Sequence, residues 1–315
     1  MSKFKIRHIT KYTYEDTVRD SANQIMLFPL KDQYQEVLQQ QIVITGNPNV
    51  SIHRDYYGNE VGTFTRAQPH NELDIDSKLV VETTHRPVPD DTVDQELQWN
   101  EYENLKYHLE FIDFLKQEKF EALPDVKKIV ETERNKHLTP VQAAKNLCEY
   151  IYTNFAYKKG ITTVESTIDE IWKIRSGVCQ DFAHILLVML RLMNIPARYV
   201  SGYVCPSKDG MRGEGATHAW VEAYIPYYGW LGLDPTNNRI ANETHVRLAV
   251  GKNFSDCSPV KGTYRGTSNH TLEVAVTVSY EDGSTATGEN EVPTEKLTSF
   301  SKNSFRRHQE MHMQQ

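Results

Sequence analysis

Cys179, His218 and Asp234 are the residues whose types and order suit nucleophilic catalysis by a thiol. Cys179 sits in Ser176-Gly177-Val178-Cys179-Gln180-Asp181-Phe182-Ala183-His184, a turn that feeds an apolar run. Gly177 is placed for backbone angles that other residues avoid. Phe182, Ile185, Leu186, Met189, Leu190 and Met193 recur at three- and four-residue steps, so the spacing predicts a helix with a wide buried face. Asn194 and Pro196 stop it. Cys179 then lies in the first turn, where backbone N–H groups are unspent and the positive end of the helix dipole points. A thiol at such a place forms the attacking thiolate more readily. A cysteine taken alone is more often a small packed residue, so its partners decide the reading.

The partners come from two strands. Thr217 to Ile225 and Trp230 to Thr236 flank the turn Pro226-Tyr227-Tyr228-Gly229. A loop of Ile225, Pro226 and Tyr227 would set His218 directly opposite Asp234, on one face and close. A carboxylate beside an imidazole fixes its orientation and tautomer and stabilises its protonated form. A different turn would shift the pairing. Read singly, His218 could be a strand histidine bonded to backbone, and Asp234 a turn residue before Pro235. A helix-start cysteine together with a facing His–Asp pair is much harder to obtain by accident.

The elements that carry these residues resemble a known family. Gly177 to His184, Ile195-Pro196-Ala197-Arg198-Tyr199-Val200-Ser201-Gly202-Tyr203, Thr217-His218-Ala219-Trp220-Val221-Glu222, Gly229-Trp230 and Asp234-Pro235-Thr236-Asn237 are similar to the core of the transglutaminase-like superfamily. The bacterial branch of that family, described as cysteine proteases, is the nearest in pattern. Tyr12, Tyr14, the segment Asn23 to Pro29, and Asp55-Tyr56-Tyr57-Gly58-Asn59 resemble its accessory β-region. Val246 to Val260 resembles its closing segment, with Gly251-Lys252-Asn253 where the family usually has Gly-Arg-Asp. The resemblance implies an α+β, papain-like fold, with a helix-borne Cys179 packed on an antiparallel sheet that carries His218 and Asp234.

The chain has 315 residues, 39% hydrophobic and 24% charged, enough for about two domains with real cores. A formal net charge of -7 argues against a general nucleic-acid partner. No apolar run approaches membrane-spanning length, so no membrane partner is expected. Cys148, Cys179, Cys205 and Cys257 show neither metal spacing nor a disulfide framework, so the expected compartment is a reducing cytoplasm and no metal or other cofactor is expected.

Residues 1–85 read as an all-β, sandwich-like accessory domain, from alternating strands such as Phe4 to Ile9 and turn clusters such as Gly46-Asn47-Pro48-Asn49. Arg86 opens a proline-rich linker over 86–98. Residues 99–280 form the expected catalytic domain. There, Leu105, Leu109, Ile112 and Leu115 lie in helical phase, Thr139-Pro140 opens a helix, and Thr167 to Glu170 has capping-box spacing. Pro206 to Gly215 reads as an exposed loop. Residues 281–315 are polar and poor in aliphatics, the pattern of a disordered tail.

The expected chemistry is acyl transfer at a peptide or amide bond through a thioester on Cys179. The Cys179 N–H is a natural oxyanion donor. Tyr157, in the upstream loop, is the candidate second donor; Gln180 and Trp220 are further oxyanion or cleft candidates, and Trp230 would wall the cleft with Trp220. His184 lies about 140° round the helix from Cys179 and is not the base. The expected partner is a peptide or protein substrate, with a glutamine or other amide as donor. Hydrolysis is favoured, amine transfer shares every residue, and an inactive binding scaffold is the reading from another class. Replacing Cys148, Cys205 or Cys257 with alanine should leave turnover largely intact in folded protein; loss of activity in a folded Cys205→Ala variant would reveal a redox role for that thiol.

Overall fold

Alternating polar and apolar residues from Ser2 to Ile25 build one strand of 24 residues, β1. The computed structural model describes residues 1–134, 137–205, 211–212, 217–266 and 269–282, together with the backbone of 295–299. Phe4, Ile6, His8 and Thr10 point to one side of β1 and are buried. After β1 come β2 (Gln35–Ile44), β3 (Ser51–Arg54), β4 (Glu60–Arg66) and β5 (His70–Thr83). The first half of β1 pairs antiparallel with β5, which carries β2; the second half pairs with β4, which carries β3.

The middle of the chain is helical: α1 (Gln95–Leu105), α2 (Leu109–Leu115), α3 (Leu123–Arg134), α4 (Pro140–Asn154), α5 (Ile168–Ile174) and α6 (Cys179–Leu192). The short strands β6 (Ala156–Tyr157) and β7 (Ser176–Gly177) lie between them. Thr139 caps α4 and Pro140 fills its first turn. Thr167 and Glu170 close both arms of a capping box on α5. The helical phase over 99–120 behaves differently from expectation. The chain breaks at 106–108, Leu109 and Ile112 are exposed, and Phe111 and Phe114 are buried instead. Ring contacts explain the choice, since Phe111 and Phe114 both pack on Trp230.

A second sheet follows, formed by β8 (Ala197–Val204), β9 (Thr217–Ile225), β10 (Gly229–Asp234), β11 (Arg239–Ile240) and β12 (His245–Gly251) in the spatial order β11-β10-β9-β8-β12. Helix α6 packs on it. Phe182, Ile185, Leu186, Met189, Leu190 and Met193 are buried against Ala219, Val221 and Ala223. Full burial of each large aliphatic side chain stabilises by about 1.5–3 kcal/mol, so this face anchors the helix that starts at Cys179.

After α7 (Phe254–Cys257), the chain returns to the first sheet. Strands β13 (Val260–Arg265) and β14 (His270–Tyr280) both pair with β1. The domain limit expected at 280 therefore differs from the strand pairing, because 260–280 completes the N-terminal sheet. The physical reason lies in β1, whose length leaves an open edge along each half. Of the tail expected over 281–315, residues 283–294 and 300–315 lie outside the described residues, and β15 (Glu295–Ser299) pairs with β14. Most of the loop expected over 206–215 also lies outside them. Among the described residues no helix is long and apolar enough to cross a membrane.

The two sheets are joined at the outer edge of β12. Asn59 donates to the Val250 carbonyl and accepts from the Val250 N–H, both at 2.8 Å. Gln35 does the same for Arg247, again at 2.8 Å each way. The segment expected as a linker is also tied down. The Arg86 guanidinium lies over the Tyr34 ring and 3.6 Å from Glu222, and the Tyr228 hydroxyl donates to the Pro87 carbonyl.

Gly202 on β8 lies where β8 and β12 pack closely. A Cβ there would lie 2.1 Å from the Val246 carbonyl oxygen and 2.6 Å from Trp220. Gly202→Ala should therefore lower unfolding free energy by about 1–3 kcal/mol, the usual cost of overpacking; denaturant unfolding of the variant at parental stability would show that the contact yields freely.

Candidate active site

Cys179 is the first residue of α6 and is half-buried. Its place is set by β6 and β7, which pair in parallel with Ala156 beside Ser176 and Tyr157 beside Gly177. The Asp181 carboxylate, itself buried, reaches back and accepts from the Val178 N–H at 2.7 Å, the return arm of a capping box. The same oxygen accepts from the Thr162 hydroxyl at 2.7 Å and so ties the upstream loop to the helix start. Burial pushes the Asp181 carboxyl above its ordinary range, against the two hydrogen bonds. Gly177 is needed for space, not for backbone angle, since a Cβ would sit 2.3 Å from that carboxylate oxygen.

His218 lies on β9 with its side chain fully buried. Its Nε2 is 2.9 Å from Asp234 Oδ2. Among the described residues its Nδ1 has no hydrogen-bond partner within ordinary limits, and the Cys179 sulfur acts on the ring. Burial alone would push His218 down. Asp234, and then Cys179, outweigh burial and raise it from 6.5 to about 10. Asp234 is raised by burial, and the opposed charge and hydrogen bond of His218 overcome this and hold it well below the carboxylate range. The pair is therefore an imidazolium–carboxylate pair inside the protein.

The hairpin reaches this arrangement by a register that differs from the expected one. Ile225 pairs with Gly229 and Val221 with Leu233, so the loop is Pro226, Tyr227 and Tyr228, with Tyr227 at φ 65° and Gly229 at φ 104°. His218 is thus not level with Asp234. The shift is two residues, which preserves the face, and the diagonal neighbours of a ladder remain within reach.

The Asp234 carboxylate is fully enclosed by donors. Oδ1 accepts from the Thr236 N–H at 2.9 Å, and Oδ2 accepts from Asn237 Nδ2 at 2.7 Å. A second imidazole, His245, brings Nε2 to 3.3 Å from Oδ2. The sequence reading passed over His245. Its strand has no ligand or catalytic spacing, and only the crossover from β11 to β12 carries it to Asp234. Asn237 was visible as part of Asp-Pro-Thr-Asn, but its role was not.

The remaining candidates separate. Tyr157 is half-buried, and its ring packs on Phe182, one turn after Cys179. Gln180 is half-buried in the same first turn of α6 as Cys179. Trp220 is fully buried, stacked on His218 at 6.2 Å and edge-on to His245 at 5.2 Å. Trp230 lies at the far end of β10, against Phe111, Phe114 and Tyr224 and under the Arg198 guanidinium. Both tryptophans follow the alternation of their strands toward packed layers. His184 faces α7, where its Nε2 accepts from the Phe254 N–H, and burial, then Arg191, lowers it to about 4. In Gly251-Lys252-Asn253, Asn253 caps α7 and the Lys252 carbonyl accepts from the buried Arg191. Among the described residues no group of three His, Cys, Asp or Glu side chains is placed to hold a metal ion.

Comparison with known proteins places this geometry. The model of the transglutaminase-like superfamily core matches residues 127–235, and that of the bacterial transglutaminase-like N-terminal region matches residues 4–82. An uncharacterised protein of Mycobacterium leprae is 31% identical over 283 residues, 89% of this chain and 99% of that protein. A protein-glutamine gamma-glutamyltransferase of Pseudomonas aeruginosa is 32% identical over 121 residues, 36% of this chain and 18% of the relative. A crystal structure from Cytophaga hutchinsonii, described as a candidate cysteine protease, superposes with a TM-score of 0.71 over 94% of this chain and 98% of that one, at 20% identity.

The charges give a pH signature. His218 is raised, so its part of the pair's stabilisation is complete below pH 6.5 and fades as pH climbs toward about 10. Asp234 is lowered, so its part is present above the ordinary carboxylate pKa of 3.8 and fades as pH falls below it. The loss of melting temperature in Asp234→Asn should therefore be largest between about pH 4 and 6.5 and shrink toward pH 10. A loss that is flat across that range would mean the pair is not ionised.

Proposed function

The chain belongs to the transglutaminase-like superfamily, and from that premise we propose that it transfers acyl groups from amide or peptide bonds through a thioester on Cys179, with water as the usual acceptor. The observation that carries this reading is the buried His218–Asp234 pair, its Nε2 spent on Asp234 and its ring flanked by the thiol at the start of α6.

The Cys179 sulfur attacks the carbonyl carbon and a C–S bond forms. Negative charge moves to the carbonyl oxygen, where the Cys179 N–H and the unspent first turn of α6 oppose it. Tyr157 and Gln180, which flank that turn, are the candidates for a second donor. The C–N bond then breaks, and the proton on His218 Nδ1 goes to the leaving amine. Water attacks the thioester next. His218 takes its proton, the C–S bond breaks, and an acid is released with the thiolate restored. Asp234 holds His218 Nε2–H throughout.

The Pseudomonas aeruginosa relative supports a second reading, in which a primary amine takes the acyl group and a new amide forms. The steps are identical up to the thioester.

Intact-mass analysis after exposure to a glutamine-bearing protein and a labelled primary amine tests the proposal. Water transfer should give ammonia or new chain termini without label. Label incorporation that depends on Cys179 would instead favour amine transfer. Cys179→Ala should abolish both, and His218→Ala should be nearly as damaging. Asp234→Asn should lose about 10²- to 10⁴-fold, the range of general-base and triad removals. Turnover in Cys179→Ala at the parental rate would end the thioester reading.

A further inference from the structure

His245 opens β12 and is buried. Burial lowers its pKa, Asp234 opposes, and His218 and Arg239 add to the lowering, so the ring is neutral. A neutral imidazole facing a carboxylate must present its N–H. Nε2, 3.3 Å from Asp234 Oδ2, therefore carries the proton, and Nδ1 is an acceptor. That assignment matches the other side of the ring. Nδ1 accepts from the Asn242 N–H at 3.4 Å, while the Thr244 hydroxyl, also 3.4 Å away, donates its proton to Asn242 Oδ1 at 2.7 Å, and that oxygen lies 3.4 Å from Nδ1.

We infer that His245 is a positioning residue, whose Nε2–H holds Asp234 Oδ2 in line with His218 while the proton on His218 Nδ1 leaves and returns. The inference rests on the thiol chemistry proposed above. Thr236 and Asn237 also hold Asp234, but both follow it closely along the chain and approach from its own turn. His245 comes from a different element and fixes the carboxylate's rotation about the direction those two leave open. Its contribution matters most when His218 has given up its proton. The ionic partner of Asp234 is then gone, and a neutral donor keeps Oδ2 in place. Trp220 braces the arrangement, parallel to His218 and edge-on to His245.

The charged and titratable groups that act on these rings come from every side. They are His218 on β9, Asp234 on β10, Arg239 on β11 and Cys179 on α6, while Cys148 on α4 lies within reach of the Asp234 charge. A small cavity on the far side of His245 is lined by Arg86, Glu222, Glu243 and Arg247. In that cavity Glu222 is paired with Arg86 and Arg247, and Glu243 lies 3.4 Å from the His85 ring.

Two variants separate positioning from packing. His245→Gln keeps a donor but loses the ring, and His245→Phe keeps the ring but loses the donor. The readouts are kcat, KM and the pH profile of Cys179 alkylation by iodoacetamide, followed by intact mass. With the donor lost, His245→Phe should drop about tenfold in kcat and in alkylation at pH 5–6, with KM little changed, the usual cost of a hydrogen bond to a charged group. His245→Gln should lose less, about two- to threefold by the same reasoning. Equal losses, or a phenylalanine variant better than the glutamine one, would overturn the inference, because ring packing predicts that order. Nitrogen-15 NMR of the parent, labelled in histidine, tests it without any variant: His245 should show Nε2 protonated and Nδ1 bare at pH 7 to 8, above the ordinary histidine range from which burial lowers it. The opposite tautomer overturns the inference even if His245→Phe does not fold. Should the parent's Cys179 alkylate only as an ordinary free thiol, the acyl-transfer reading falls, and the tautomer still decides whether His245 donates to Asp234.

Discussion

A single buried negative charge, the Asp234 carboxylate, sets the terms for the rest of the site. An unpaired carboxylate in a protein interior is too costly to remain ionised. Here four donors from three stretches of chain converge on it: His218, the adjacent Thr236 and Asn237, and His245. Each demand has a structural consequence. His218 requires β9 beside β10. Thr236 and Asn237 require the chain to turn tightly after Pro235. His245 requires the crossover to return across the sheet before β12 begins. The glycine at 202 lets β12 pair closely with β8, since a side chain there would meet the Val246 carbonyl.

The N-terminal sheet answers a different constraint. Strand β12 is an edge, and an edge carries unpaired backbone groups. Gln35 and Asn59 bond the backbone of Arg247 and Val250 in both directions, much as a neighbouring strand would. Met26 and Val61 enter the core around α6, while Tyr203, Val246 and Leu248 enter the N-terminal core. The return of β13 and β14 to β1 closes the arrangement. The accessory region is therefore part of what keeps His245 and the end of β12 in place.

Much of this was legible in the sequence, and the misses share a cause. Helix α6 was readable because six apolar residues repeat at helical steps, and the caps at Thr139 and Thr167 because capping is local. His218 and Asp234 were readable because they share a face under any even shift of register. The turn itself was misplaced by one residue, since Pro226-Tyr227-Tyr228 and Ile225-Pro226-Tyr227 look equally like loops without the positive φ at Tyr227. His245 was invisible because its partner is set by a long crossover, which periodicity does not encode. The phase of Leu105, Leu109, Ile112 and Leu115 misled for the same reason: Trp230, distant in sequence, selected the face of Phe111 and Phe114.

The two buried carboxylates of the sheet, Glu222 and Asp234, differ in the kind of counter-charge that holds them. Glu222 is compensated by Arg198 at 2.6 and 2.8 Å, with Arg247 at 3.5 Å and Arg86 at 3.6 Å. Guanidinium groups do not lose their protons in proteins, so that charge is locked and its work is to join β8, β9, β12 and the N-terminal segment. Asp234 is compensated by histidine, whose proton can leave and return. One of its two imidazoles is raised by the carboxylate and then by the Cys179 sulfur, and the other is lowered by burial. On the acyl-transfer reading, that split assigns proton exchange to one ring and the holding of the carboxylate to the other. Four residues apart on β9, His218 and Glu222 thus mark the two ends of one buried layer, with a titratable counter-charge at one end and a permanent one at the other.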